Sequence, residues 1–144
     1  MLTRGMHPFG AYRPLRKKIL IVDDDANVQK IIARLMTQGG YHFEIASDGF
    51  ETGVKVMGLK PGLVILDLIM PGMDAFEVCR RIKNNPSTAH IKILAVTRYD
   101  TPENRTRIMA AGADRYMAKP FDLKTLLNHV DSLLEETKAI KVQK

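Results

Sequence analysis

The chain has 144 residues, which at roughly 150 residues per domain is one compact domain with little room for a second core. Its 45% apolar and 26% charged residues are those of an ordinary globular chain and argue against wholesale disorder or a fibrous repeat. The formal charge of +6 suggests a nucleic-acid or membrane partner until it is divided along the chain: residues 1–18 carry five basic groups and no acid, residues 138–144 carry three and no acid, and the stretch between is −2.

Residues 1–17, in which Gly5, Pro8, Gly10 and Pro14 break any period, are expected to be a basic arm or linker, 18–137 a folded domain and 138–144 a basic tail. No apolar run approaches the 18 or so residues of a membrane span, and the first residues lack the apolar stretch of a signal peptide. The expected location is therefore the cytoplasm. The one cysteine, Cys79, excludes an intramolecular disulfide and any multi-cysteine metal site, in keeping with a reducing compartment. With no apolar run of spanning length no membrane binding is expected, and because only eight residues follow Glu136, too few for a helix-turn-helix, no direct nucleic-acid binding is expected either.

In chain order, short apolar runs alternate with segments of helical period. Ile19 to Val22 is the first run, rich in β-branched residues as a strand buried on both faces should be. Val28, Ile31, Ile32, Leu35 and Met36 then recur at helical spacing until Gly39 and Gly40, where a left-handed cap would fall. A second strand is read at Phe43 to Ala46. A second helix follows from Phe50 to Met57, with Phe50, Val54 and Met57 as the face turned to the sheet. Leu63 to Leu66 is the third strand, and Ala75, Val78, Cys79 and Ile82 line the helix after it. Ile91 to Val96 is the fourth strand. Thr101-Pro102 sets a capping residue before a proline at the first helical position, and Ile108, Met109 and Ala111 lead to a stop at Gly112. Arg115 to Ala118 is the fifth strand, and a last helix opens at Asp122 and carries Leu123, Leu126, Leu127, Val130, Leu133 and Leu134. Five strands alternating with five helices, joined by right-handed crossovers, give a doubly wound, flavodoxin-like parallel sheet of order 2-1-3-4-5 with helices on both faces.

In such a sheet a ligand site lies outside the carboxyl ends of the strands. There the first strand leads into Asp23, Asp24 and Asp25, the third into Asp67, the fourth into Thr97 and the fifth into Lys119. Singly, each has a mundane role: an aspartate after a strand caps the next helix, a threonine ends a strand, a lysine faces water. Their recurrence at one end of neighbouring strands does not follow from those roles. Carboxylates about 4 Å apart repel by roughly 1 kcal/mol in water and about 4 at an effective dielectric of 20, so the cluster calls for a positive filler. A hard divalent cation such as Mg²⁺, which keeps much of its water and also binds phosphate oxygens, suits oxygen ligands of this kind. With Lys119 as a second positive charge and Thr97 as a hydroxyl donor, the set forms a receptacle for a transferred phosphoryl group, one aspartate being the nucleophile.

The motifs Ile-Leu-Ile-Val-Asp-Asp-Asp at 19–25, Leu-Val-Ile-Leu-Asp-Leu-Ile-Met-Pro-Gly-Met-Asp at 63–74, Val-Thr at 96–97 and Lys-Pro-Phe at 119–121 resemble, in order and spacing, the receiver (response regulator) domain family of two-component signalling, which includes the single-domain chemotaxis regulator. The resemblance covers roughly Lys18 to Glu136. It implies that Asp67 is phosphorylated by in-line attack on the phosphohistidine of a sensor histidine kinase or phosphotransfer protein, and that Asp24 ligates Mg²⁺ directly with Asp23 as its companion acid. The main-chain carbonyl of Ile69 would complete the protein's share of ligands. Lys119 would pair with phosphoryl oxygens, aimed by a cis Lys119-Pro120 peptide, and Thr97 would turn to donate to one of them. Tyr116 occupies the position of the family's switch aromatic, which then turns inward. The surface from Pro102 through Asp122, comprising helix 4, strand 5 and helix 5, would signal to an output protein or domain, and a phosphorylation-dependent homodimer through the last two helices is compatible with the family.

Arg98 departs from the small residue usual after the threonine and stands where it would control access to the phosphoryl group. Ala75 replaces a common glycine, and Ile69 sits two residues past the phosphoacceptor, where members differ in phosphorylated lifetime. Ile69 also counts against a hydrolase of the haloacid dehalogenase type, which needs a second aspartate at that place. The other alternative is a pseudo-receiver, a phosphorylation-independent binding module. Such modules have typically lost the acid pair, the lysine or the phosphoacceptor, all of which this chain keeps. As a receiver the chain would be a regulatory domain rather than an enzyme, catalysing only its own phosphorylation and dephosphorylation.

Overall fold

The computed structural model describes residues 18–142; the arm at 1–17 and residues 143–144 lie outside the described residues. In chain order the elements are β1 (Lys18–Val22), α1 (Ala26–Gln38), β2 (His42–Ala46), α2 (Gly49–Leu59), β3 (Leu63–Asp67), β4 (Ile69–Met70), β5 (Met73–Asp74), α3 (Ala75–Asn84), β6 (Lys92–Thr97), α4 (Pro102–Ala110), β7 (Arg115–Ala118) and α5 (Leu123–Val142). The main sheet is parallel throughout, in the order β2-β1-β3-β6-β7, which is the expected 2-1-3-4-5 winding. The helical backbone of α5 continues to Val142.

Strand residues alternate between two separate cores, as the pleat requires. Leu20, Val22, Val64, Leu66, Ile93 and Ala95 face one way and pack with Val56 of α2, Phe76, Cys79 and Ile82 of α3 and Ile108 of α4. Ile19, Ile21, Leu63, Ile65, Leu94 and Val96 face the other way and meet Ile32, Leu35 and Met36 of α1 and Leu126, Val130 and Leu133 of α5. β3 is buried along its whole length, which explains its unbroken apolar run.

The helical faces differ from the sequence expectation on α1 and α2, and Met109 of α4 and Leu123 of α5 are exposed as well. On α2 the residues turned to the sheet are Thr52 and Val56, while Phe50 is 84% exposed and Val54 and Met57 are also exposed. Two stripes of the same spacing compete on this helix, and the buried one contains a threonine whose hydroxyl donates to the Asp48 carbonyl at 2.7 Å, so it enters the core with its polarity satisfied. On α1 the residue Ile31, adjacent to buried Ile32, is 48% exposed. A further unexpected feature is the antiparallel pair β4–β5, in which Ile69 opposes Asp74 and Met70 opposes Met73 around a Pro71-Gly72 turn. Gly72 has φ +74, the left-handed value that the third position of such a turn demands.

Removing the buried side chain at the centre of β3, by Ile65→Ala, should lower the unfolding free energy by about 2–5 kcal/mol in a urea titration. Phe50→Ala should leave it within about 0.5 kcal/mol.

Candidate functional site

Parallel strands bring all their carboxyl ends to one rim, and the register places Asp67 opposite Val96 and Thr97 opposite Ala118. Asp23 and Asp67 are buried there, at 1% and 5% exposure, while Asp24 faces solvent. One carboxylate oxygen from each of Asp23, Asp24 and Asp67 lies within 4.8 Å of the others. Lys119, just past β7, reaches into the cluster with Nζ 2.8 Å from Asp23 Oδ2 and 3.5 Å from Asp67 Oδ2. Its bond to Pro120 is cis. The side chains open on a cleft of about 210 Å³ lined also by Asp25, Ile69, Arg98 and Tyr99. A groove of about 520 Å³ between α2 and α3 is larger, but its lining is mainly apolar, with no comparable convergence of charge.

The second shared environment is the backbone around these groups. Asp23 Oδ1 accepts from the Asp25 N–H at 2.9 Å, and Asp67 Oδ1 from the Ile69 N–H at 3.3 Å, so each buried carboxylate is held by the turn that follows it. Asp25 plays a different part from its neighbours: its carboxylate caps α1 by accepting from the Asn27 and Val28 amides at 2.8 and 3.3 Å. Gln29 was not singled out by the sequence, yet its amide donates to the Asp23 carbonyl and to Ser47 Oγ, tying the acid turn to the end of β2.

Thr97 is fully buried at the end of β6, and its Oγ1 accepts from the Tyr99 N–H at 3.0 Å. Tyr116 stands apart from the cleft, half-buried on the edge strand β7, where its hydroxyl donates to Asp100 Oδ1 at 2.9 Å. Burial, reinforced by the bond to Asp100 and its charge, pushes the Tyr116 hydroxyl up to about 12. The sequence gives no sign of Tyr99 or Asp100 as partners, because their roles arise from how the β6–α4 loop folds back.

Burial first, and then the charge of Asp23, hold the Asp67 carboxyl above its ordinary range, against the opposing pull of Lys119 and the Ile69 N–H. Three carboxylates against one ammonium leave a negative surplus that a cation would relieve. The donor set is all oxygen, and its 4.8 Å spread is close to the roughly 4 Å between opposite ligands of magnesium, so the residues fit a small hard cation held directly or through water.

An acid whose folded pKa lies above its unfolded value binds its proton more tightly in the folded chain. Its contribution to stability is therefore lost as the pH rises from the unfolded value through the folded one. At neutral pH, ionised Asp67 weakens the fold. Asp67→Asn should raise the Tm by about 2–5 °C at pH 7 in a chelator, with the gap closing towards pH 4, as measured by differential scanning calorimetry.

The response regulator receiver domain family matches residues 19–131. The response regulator MprA of Mycobacterium leprae is 38% identical over 121 residues, which is 84% of this chain and 52% of that protein. The DNA-binding dual master transcriptional regulator RpaA of Synechocystis is 34% identical over 123 residues, 85% of this chain and 51% of that protein. The chain thus spans about half the length of these relatives. Among solved structures, the signal receiver domain of a DNA-binding response regulator from Colwellia psychrerythraea superposes with a TM-score of 0.78 at 35% identity, covering 82% of this chain and 98% of that one. A CheY-like receiver domain protein from Methanospirillum hungatei gives 0.80 at 30% identity, covering 85% and 97%.

Proposed function

This chain belongs to the response regulator receiver domain family, and on that footing we propose that it is a phosphorylation-activated switch whose phosphoacceptor is Asp67. The observation that carries the reading is the convergence of Asp23, Asp24 and Asp67 with Lys119 at one rim of the sheet. Asp23 and Asp24, with Asp67 and the Ile69 main-chain carbonyl, would hold Mg²⁺, which when bound neutralises the carboxylates and the incoming phosphoryl oxygens. An Asp67 carboxylate oxygen attacks phosphorus in line, forming an O–P bond as the P–N bond to the donor histidine of a sensor kinase or phosphotransfer protein breaks. The imidazole leaves with the bonding pair. Lys119 then shifts its contact from the acids to a phosphoryl oxygen.

Thr97 turns its hydroxyl to the phosphoryl group, and Tyr116 follows by moving inward. The phosphate acts only by favouring one of two existing arrangements, so the strength of the switch equals its differential contacts in the active one. The signal passes through the face formed by α4, β7 and α5 to an output protein or domain, and self-association through this face is the dimeric form of the same switch. An apolar groove lined by Val28, Ile31, Phe121 and Leu123 shares Arg98 and Lys119 with the cleft, so the phosphate donor docks there, beside the atom it delivers to. Among the described residues no helix is long and apolar enough to cross a membrane.

Incubation with acetyl phosphate and Mg²⁺ should add one phosphoryl group, seen as a mass increase, and Asp67→Asn should abolish it. An unmodified wild-type chain would favour the phosphorylation-independent binding module instead. Arg98 lines the cleft at its solvent side, where its charge and bulk screen the acyl phosphate from water. Wild type should lose phosphate about 2–10-fold more slowly than Arg98→Ala, a barrier difference of at most about 1.4 kcal/mol, in a timed phosphate-release assay. Equal or slower loss in the variant would remove Arg98 from this role.

A further inference from the structure

The β6–α4 loop is fastened through two adjacent residues to groups of the proposed switch. Tyr99 gives its N–H to Thr97 Oγ1 at 3.0 Å, and the next residue, Asp100, takes the Tyr116 hydroxyl at 2.9 Å. The same loop is braced by α4. Asn104 Nδ2 donates to the Tyr99 carbonyl at 2.9 Å, and its backbone N–H donates to Thr101 Oγ1 at 3.1 Å. On the other side of the tyrosine, the Arg105 guanidinium carbon lies 4.7 Å from the ring centroid, within cation–π range. Tyr116 is thus gripped at its hydroxyl by an acid and over its ring by a base, neither of which lines the phosphoacceptor cleft.

We propose that Asp100 is a positioning residue that, with Arg105, latches Tyr116 at the surface and so opposes the phosphorylated arrangement. The inference rests on the phosphoacceptor reading above. When the Thr97 hydroxyl turns to a phosphoryl oxygen it gives up its place as acceptor for the Tyr99 N–H, and the neighbouring Asp100 loses its anchor. An inward turn of Tyr116 then breaks the bond to Asp100 and the stacking on Arg105 together. By linkage, contacts present only in the unphosphorylated arrangement weaken phosphate or phosphate-mimic binding by the same factor that they stabilise the resting one. The latch sets how far the resting chain lies from its active form without altering any group that touches phosphorus.

The test is titration with beryllofluoride and Mg²⁺, a mimic of the acyl phosphate, followed by NMR chemical shifts. Asp100→Ala should bind the mimic about 3–10-fold more tightly than wild type, the range expected for an exposed hydrogen bond to a carboxylate. Arg105→Ala should shift affinity in the same direction by about twofold. Asp100→Asn keeps an acceptor while removing the charge and should stay within about twofold of wild type. In a Tyr116→Phe background the effect of Asp100→Ala should vanish, which a merely structural role for Asp100 would not produce. Equal tightening in the Asn and Ala variants would assign the effect to bare charge and overturn the latch, as would persistence of the effect in Tyr116→Phe, or unchanged affinity in Asp100→Ala. Failure of wild type to bind the mimic at all would overturn the phosphoacceptor reading and the latch with it, a result distinct from failure of the latch alone.

Discussion

The repulsion among carboxylates at the end of a parallel sheet is the constraint to which the rest of this molecule answers. Asp23 and Asp67 are buried side by side, Asp24 stands at their edge, and one ammonium, on Lys119, reaches across from the far side of the sheet to balance them in part. Nothing in the packing of a five-stranded sheet requires this. A core built only for stability would place apolar groups or helix caps at these strand ends, as Asp25 indeed serves at the start of α1. The surplus of negative charge makes the rim poorer as scaffold and better as a receptacle for something positive.

The architecture makes that arrangement tenable. Each buried acid accepts from the turn that follows its strand, through the Asp25 and Ile69 amides, which favours the carboxylates staying side by side despite their repulsion. The β4–β5 pair anchors Ile69, and Gln29 ties the acid turn to β2. The two cores, one under α1 and α5 and the other under α2, α3 and α4, clamp β1 and β3 from both sides, and the rim inherits the rigidity of the sheet. The loop after β6 is likewise held near the rim by side-chain tethers, where Tyr99, Asp100 and Asn104 make their contacts. A rigid receptacle beside a tethered loop is a division of labour suited to switching.

Most of this was legible in the sequence because it depends on period and position. Runs such as 63–66 are continuous because the strand is covered on both faces, and the strand-end residues stand out because they interrupt those runs. What could not be read depends on partners. On α2 two stripes with the same spacing were available, and the apolar one lost to a stripe containing Thr52, whose hydroxyl is satisfied by a carbonyl one turn earlier. Three consecutive aspartates look alike in sequence, yet two join the cluster of acids and one caps a helix. Tyr116 occupies a telling position, but its bond to Asp100 crosses sixteen residues and appears only once β6 and β7 are neighbours.

The chain contains no tryptophan and four tyrosines. Two of these, Tyr99 and Tyr116, lie on the tethered loop and on the strand it grips, while Tyr41 sits on the opposite side of the sheet, its hydroxyl bonded to Asp131 of α5. Half of the native ultraviolet chromophores that dominate its emission are therefore built into the parts that the proposed switch would move. The molecule carries its own optical reporter, and its conformational state can be followed in solution with no dye, label or engineered fluorophore.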